Sequence, residues 1–307
     1  MFRLPQRIQL RGRHAVIGTP YAWLAVSFLL PFVLVLRISL AQMDGAQVAP
    51  LMTFANGELT FRFHLTPYLQ LLTDDLYLHA YLVSLKYALI TALICLLIGY
   101  PFAYFLARSE PRWQPMLLMG VMLPFWTSFL IRVYAWKGLL EANGWIGAPI
   151  HASGLDQLLA LLGLIPSPEQ LLYSPFSLVL GMVYTYLPFM VLPLYATLSR
   201  MDTRLLEAAL DLGATPWQAF WRITVPLSKP GIIAGSMLVF IPCVGEYVIP
   251  ELLGGPETLM IGRVLWDEFF ANNDWPMASA VAIVMILLLL VPLVVFGRAQ
   301  TQAREGK

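Results

Sequence analysis

The sequence predicts an all-α membrane protein with six transmembrane helices, and three observations predict it. Only 12% of the 307 residues are charged and 59% are hydrophobic, with a mean hydropathy of +0.71. Soluble domains carry about twice that share of charge, roughly 25%. Six apolar runs are long enough to cross a hydrocarbon core of about 30 Å, which takes about 20 helical residues. Lysine and arginine, finally, are confined almost entirely to alternate loops.

The spans fall near residues 16–38, 80–107, 116–139, 174–199, 231–253 and 276–297. The first follows Arg3, Arg7, Arg11 and Arg13 and precedes "SLAQ" (39–42), which has the look of a signal-peptide cleavage site. The run is longer than an ordinary signal core of about 7–15 residues, so it reads as an uncleaved anchor. Several of the spans are interrupted by prolines (Pro20, Pro31, Pro124, Pro188, Pro193, Pro242, Pro250) or by Arg37, Arg132 and Glu246. Such helices pack on one another or line a cavity, where neighbours satisfy the freed backbone groups. A β-barrel is excluded, because its strands alternate over about ten residues instead of staying apolar for twenty.

Orientation follows from the basic residues. Thirteen of them (Arg3, Arg7, Arg11, Arg13, Arg108, Arg112, Arg200, Arg204, Arg222, Lys229, Arg298, Arg304, Lys307) fall on one side, against Arg62 and Arg263 on the other. The sparse side instead carries acids such as Asp44, Glu58, Asp74, Asp75, Glu141, Asp156, Glu169 and Glu257. Both termini are therefore expected in the cytoplasm. Residues 1–15 and 298–307 would be tails, and 16–297 one membrane domain with a long inner loop at 200–230. The net charge of +1 leaves no electrostatic grip on nucleic acid. Cys95 and Cys243 lie in apolar runs and read as small buried side chains.

That inner loop contains "RLLEAALDLGATPWQAFWRITVPL" (204–227). Leu205, Leu206, Ala209, Leu210 and Leu212 give a short helix an apolar side, with Glu207 and Asp211 opposite. Gly213 permits a left-handed end. Thr215 and Pro216 form an N-cap and first-turn pair that opens a second helix bearing Trp217, Phe220 and Trp221. Pro226 is expected to stop this second helix before the fifth span. By itself the segment is compatible with an amphipathic linker lying on the membrane. Ala208 and Ala209 also leave a low-relief surface that another protein can approach closely.

The run Glu207-Ala208-Ala209, Gly213 four positions on, then Ile223-Thr224-Val225-Pro226 resembles the EAA loop (EAA-x3-G-x9-I-x-L-P) of binding-protein-dependent ABC importer permeases. Val225 stands where leucine is usual. "LPFWTSFLIRVYAW" (123–136), "YTYLPFMVLPLY" (184–195) and the stretch from "VGEYVIPELLGGP" (244–256) to "DWPMASAVAI" (274–283) are similar to the spermidine/putrescine branch of that family, most of all to the permease subunits of putrescine importers. The resemblance implies a type I ABC importer permease fold, with Glu207, Ala208, Ala209, Gly213, Ile223 and Pro226 on a coupling helix that docks on an ATPase. It implies a cytoplasmic ABC ATPase homodimer, a second related permease, a periplasmic polyamine-binding protein and a lipid surround in a bacterial inner membrane. The chain has no Gly-x4-Gly-Lys-Ser/Thr phosphate loop. No cofactor is expected in it, and ATP and magnesium belong to the partner.

Ionisable residues inside a membrane face a cavity or a partner. Glu246 and Arg132 stand at similar heights on their spans, and two readings are open: a structural Arg132–Glu246 ion pair, or a Glu246 carboxylate in the path of a polycation. The two are compatible in different states. Gly245, Pro242 and Pro250 break the fifth span around Glu246, and such breaks expose carbonyls that suit cations. Aromatic faces attract ammonium groups at about 0.5–2 kcal/mol each. Trp126, Tyr134, Trp136, Tyr184, Tyr186 and Tyr247 are therefore candidates for the pathway, although aromatic residues also belt membrane interfaces. Glu251, Asp267, Glu268 and Asp274 are candidates for an outer acidic entrance or for a solvated loop. His14, His64, His79 and His151 have no metal-site spacing. The competing reading is an ion-coupled secondary transporter of a small cationic solute, which predicts repeated spans and uptake without an ATPase. An intramembrane enzyme lacks a nucleophile–base or metal constellation.

Overall fold

The computed structural model describes residues 6–45, 47–55, 58–168 and 170–304. The ends of both expected tails (1–5 and 305–307) and Glu169 lie outside the described residues. Two compact units are present, Met1–Thr73 with Asp267–Val284 and Asp74–Trp266 with Met285–Lys307.

In the first unit α1 (Gln6–Ser39) runs unbroken through Pro20 and Pro31. From Val16 on it is apolar and almost wholly exposed. Two antiparallel hairpins follow that the run of apolar segments did not announce. In one, β1 (Met43–Asp44) pairs with β2 (Gln47–Val48), Met43 opposite Val48. In the other, β3 (Met52–Ala55) pairs with β4 (Glu58–Phe61), Met52 opposite Phe61. The short α2 (Thr66–Thr73) is tied back to the end of α1 by a 2.7 Å hydrogen bond between the Tyr68 and Ser39 hydroxyls.

The core of the second unit is three mutually packed helices: α3 (Asp75–Arg108), α8 (Pro175–Leu198) and α11 (Val225–Val244). Met182, Met190, Leu194, Val239 and both free cysteines are fully buried among them. Met190 sits between two glycines: Cβ atoms on Gly99 of α3 and Gly235 of α11 would come 3.0 and 2.7 Å from its side chain. Absent side chains thus let three backbones close around one flexible one. Ser174 and Ser177 form a reciprocal capping box at the start of α8. Lys86, a cation inside α3 that the span reading passed over, lies 5.2 Å from the Tyr87 ring centre.

Two spans differ from expectation. The third is α4 (Gln114–Met122) with a 3₁₀ turn Leu123–Trp126, then α5 (Phe129–Leu140), the two halves bent by 86°. Pro124 and the extended backbone at Thr127 and Ser128 account for the break. Counting that bent pair as one span, the described residues hold six candidate spans. The fifth span begins far earlier than residue 231. Helix α10 (Pro216–Ala219) passes through a π turn, Phe220–Thr224, directly into α11, giving one helix over Pro216–Val244. Pro226 therefore does not stop the second short helix. The wider π turn, in which Val225 N–H reaches Phe220 C=O, absorbs the bond that a proline ring removes from an α-helix. Short helices α6 (Gly147–Ser153) and α7 (Leu155–Leu161) separate the third and fourth spans. Beyond α11 come α12 (Val248–Leu253), α13 (Ile261–Trp266) and the long last helix α14 (Trp275–Arg304).

Candidate functional site

The segment singled out between the fourth and fifth spans forms α9 (Arg204–Asp211) followed by the start of the long helix. Gly213 has φ +84°. Ala214 N–H donates to Ala209 C=O at 3.0 Å and Gly213 N–H to Leu210 C=O at 2.9 Å, a complete Schellman ending. Thr215 then opens the next helix with a capping box: its hydroxyl accepts Gln218 N–H at 3.2 Å, and the Gln218 carbonyl oxygen accepts Thr215 N–H at 3.0 Å. Two locked turns set back to back fix the angle between α9 and the rod that follows. Glu207 and Ala208 are exposed and Ala209 half-buried, and Leu205, Leu210 and Leu212 face outward uncovered. Ile223 is half-buried and Pro226 exposed. Phe220 roots the second part in the bundle by edge-on contacts to Tyr100 and Tyr104 of α3, at 5.7 and 5.8 Å. A 2.8 Å bond between the Tyr100 and Ser228 hydroxyls lies about two turns further on.

A second cluster surrounds the break between α11 and α12. Glu246 is half-buried there. The Tyr186 hydroxyl donates to its Oε2, and its Oε1 accepts Val248 N–H at 3.1 Å, capping α12. The expected Arg132–Glu246 ion pair is not formed. Arg132 keeps its guanidinium over the rings of Phe125 and Phe129, 5.4 and 5.9 Å away, and its Nε and Nη1 are buried with no hydrogen-bond partner among the described residues. The physical reason is that Glu246 already has two donors, one of them fixed by the backbone, while Arg132 is drawn onto aromatic faces. The break does not leave the Gly245 and Glu246 carbonyls open either. Both pack on Gly262, where a Cβ would fall 2.5 Å from each oxygen.

Gly262 belongs to α13, whose first N–H, that of Ile261, is accepted by the buried Ser84 hydroxyl of α3 at 2.8 Å. The Tyr247 and Trp266 rings stack at 4.3 Å, and Arg263 pairs with Glu251 at 2.6 Å. These two contacts are the rungs of a ladder between α12 and α13, each about one helical turn from the next. Glu251 is thus neutralised within the chain. Of the other aromatic candidates, Tyr184 meets Trp136 edge-on at 5.3 Å. It also lines an apolar groove of about 640 Å³ with Phe102, Phe105, Trp113 and Pro188. Trp126 and Tyr134 stand apart, 71% and 57% exposed. Ser84, Gly262, Arg263 and Trp266 were not singled out from the sequence. A serine in an apolar run and a glycine beside an arginine were the signals present.

The outer acids have individual roles. Glu268 is buried and accepts a 2.9 Å bond from Asn272, and Asp274 caps α14 by accepting Met277 N–H at 3.0 Å. Glu268 is therefore not a solvated loop residue, whereas Asp274 is half-buried at the start of its helix. In the segment between the third and fourth spans His151 Nδ1 lies 2.8 Å from Asp156 Oδ2. That hydrogen bond, ahead of the opposing effect of burial, lowers the Asp156 pKa below its ordinary 3.8. Among the described residues no cluster of His, Cys, Asp and Glu is arranged to hold a metal.

Comparison with known proteins places this geometry. Residues 99–300 match the sequence profile of the family described as binding-protein-dependent transport system inner membrane component. The spermidine/putrescine transport system permease protein PotB of Escherichia coli K12 is 38% identical over 92% of this chain and 96% of its own length. The protein of the same name from Haemophilus influenzae is 38% identical over 91% of each chain. The E. coli inner membrane ABC transporter permease protein YdcU is 34% identical over 67% of this chain and 66% of its own. Among solved structures, a bacterial ABC transporter involved in alginate import aligns with a TM-score of 0.62 at 17% identity, covering 97% of this chain and 99% of that one. At that identity the likeness speaks for the fold alone.

Proposed function

The chain belongs to the family of binding-protein-dependent transport system inner membrane components, and from that premise we propose that it is the polyamine-translocating permease subunit of an ATP-driven importer, with putrescine as the leading substrate and spermidine as the alternative. It is a transporter component and not itself an enzyme. The observation that carries the substrate class is the 38% identity over more than nine-tenths of the chain to relatives named for spermidine and putrescine. Those names carry both polyamines, so the narrower likeness to putrescine permeases remains part of the proposal.

The partners follow from the same reading: a cytoplasmic ABC ATPase homodimer, a second related permease, and a periplasmic polyamine-binding protein. A solved alginate transporter of this fold is described in complex with a periplasmic protein bound to its saccharide, which supports the last of these by analogy of fold. Both termini would lie in the cytoplasm, as the basic residues indicate. Glu207, Ala208, Ala209, Gly213, Ile223 and Pro226 would form the coupling surface, supported by the uncovered leucines of α9 and the two fixed turns around Gly213. Within the spans, Glu246 with Tyr186 is the best-supported cation contact, because a half-buried carboxylate without an ion pair attracts an ammonium group. Tyr247 and Tyr184 are weaker members of the pathway. Glu251 would join it only after releasing Arg263, and Trp126 and Tyr134 fit better as interface residues.

The test is uptake of a panel of radiolabelled diamines and polyamines by proteoliposomes containing the full complex. Uptake of a polyamine that needs both ATP and the binding protein supports the reading. Uptake driven by a proton or sodium gradient without the ATPase favours the secondary-transporter alternative and defeats it.

A further inference from the structure

Arg132 is an oddity in physical terms. A guanidinium is always charged, and it sits in a span with two buried nitrogens that bond to nothing among the described residues. The carboxylate that would balance it, Glu246, also makes no ion pair among them. The two charges are joined by a continuous aromatic array. The Arg132 guanidinium lies over Phe125, Phe125 meets Phe189 edge-on at 5.2 Å, Phe189 lies 6.2 Å from Tyr186, and Tyr186 donates to Glu246. Each charge also adjoins a break in its span. Arg132 follows the 86° bend by one turn, its N–H bonded to Ser128 C=O at 3.2 Å, and Glu246 occupies the gap between α11 and α12. The helices beyond the two breaks, α5 and α12, touch each other.

From this arrangement we infer that Arg132 is an internal substitute for the substrate's ammonium group: it moves onto Glu246 in the opposite state of the transport cycle and so drives the carboxylate to release its cargo. A carboxylate that attracts cations well enough to load them also holds them, and transport needs the holding to end. A resident cation that takes over the same oxygen ends it without leaving a bare charge in the membrane. The rings between them offer the guanidinium a favourable surface along the way. Bends at Thr127–Ser128 and Gly245–Tyr247 supply the movement, since hinge positions absorb the backbone change. Arg132 acts through Glu246 and is a positioning residue. The inference rests on the import reading for its cargo, but not for its movement.

Two measurements on the complete reconstituted transporter test it. Arg132→Gln is expected to lower both the maximal rate of radiolabelled putrescine uptake and its KM by about fivefold or more, the size of an ordinary coupling between sites. Arg132→Lys should restore most of both, and in a Glu246→Gln background Arg132→Gln should change nothing further. An unchanged rate, or an equal loss in the Glu246→Gln background, overturns the inference; the latter outcome would point to a carboxylate on the second permease instead. The other measurement needs no substrate. In a complex carrying Cys95→Ala and Cys243→Ala, an Arg132→Cys/Glu246→Cys pair should be joined by a short bifunctional thiol reagent in one nucleotide state and not in the other. Cross-linking in neither state, or equally in both, overturns the inference even if wild-type cargo proves not to be a polyamine. Wild-type proteoliposomes that take up no polyamine would defeat the proposed function alone.

Discussion

The hydroxyl of Tyr186 and the carboxylate of Glu246, sixty positions apart in the chain, are hydrogen-bonded inside the membrane domain. Tyr186 belongs to an unbroken helix, whereas Glu246 lies where another helix has come apart. The bond therefore ties the interrupted helix to the continuous one, and the same carboxylate accepts the first N–H of the helix that resumes at Val248.

Removing the charge at Glu246 separates these two duties. Glu246→Gln keeps an oxygen to accept Val248 N–H and turns an amide N–H toward the Tyr186 hydroxyl, which can accept it, but offers an ammonium group no charge. Uptake is expected to fall about tenfold or more, since hydrogen bonds to charged groups are worth about 1.5–3 kcal/mol, while the amount of assembled complex is unchanged. Initial rates normalised to purified complex measure this. Undiminished uptake would take Glu246 off the pathway.

The coupling role is tested at Gly213. Its φ of +84° lies in the left-handed region, where an L-residue costs about 1–2 kcal/mol and a β-branched one more. Gly213→Val is therefore expected to unseat the Schellman turn and reduce recovery of the ATPase by affinity purification, with normal insertion of the permease. Glu207→Lys, on the exposed face of α9, should have the same effect without disturbing the turn. Full ATPase recovery with both variants would exclude this surface as the docking site.

Gly262 is where a single methyl group should be felt. Gly262→Ala places a carbon 2.5 Å from two carbonyl oxygens, so the break around Glu246 has to shift. A loss of about 1–3 kcal/mol in stability is expected from overpacking. It should appear as a lower melting temperature of the detergent-solubilised complex, along with slower uptake. Ser84→Ala, which strips the acceptor from Ile261 N–H, should cost about 1–3 kcal/mol by leaving a buried donor unpaired. Full melting temperatures in both would mean that α13 is held by something else.

The His151–Asp156 pair, between the third and fourth spans, carries a pH signature. Because the Asp156 pKa is lowered in the folded chain, its contribution to stability is complete above the ordinary carboxylate value, about 3.9. It is lost as pH falls through the lower, folded value. Limited proteolysis between residues 147 and 161 should therefore be slower in wild type than in Asp156→Asn at neutral pH, and the two should converge in acid below about pH 4. A difference that persists unchanged to low pH would show that the carboxylate charge does not hold this region together.

Apolar length made five of the spans legible, because a run of that length and composition has one economical structure in lipid. Composition could not reveal that α4 and α5 meet at a sharp bend, since a proline with a Thr-Ser pair is compatible with a mild kink as well. Pro226 was misleading for a related reason. Proline usually marks a helix end, and only the tertiary setting reveals that a π turn has taken up the missing bond. The left-handed turn at Gly213 and the cap at Thr215 were readable because both are local. Glu246 stood out as an acid in an apolar run, but its partner did not: Tyr186 and Arg132 both lie far from it in the chain, and only packing chooses between them. Ser84, Gly262, Arg263 and Trp266 act purely through long-range contacts, so nothing near them in the chain announced their roles.

The continuity of the helix from Pro216 to Val244 has a consequence for how work is delivered. A helix of 29 residues is about 43 Å long, and tilting its foot by about 5° as a rigid body would swing its tip by roughly 4 Å. Under the proposed docking, the ATPase stroke would be transmitted undiminished along a crank. Beyond the π turn near its foot, the helix runs on to Gly245, one residue before the acid that would hold the cargo.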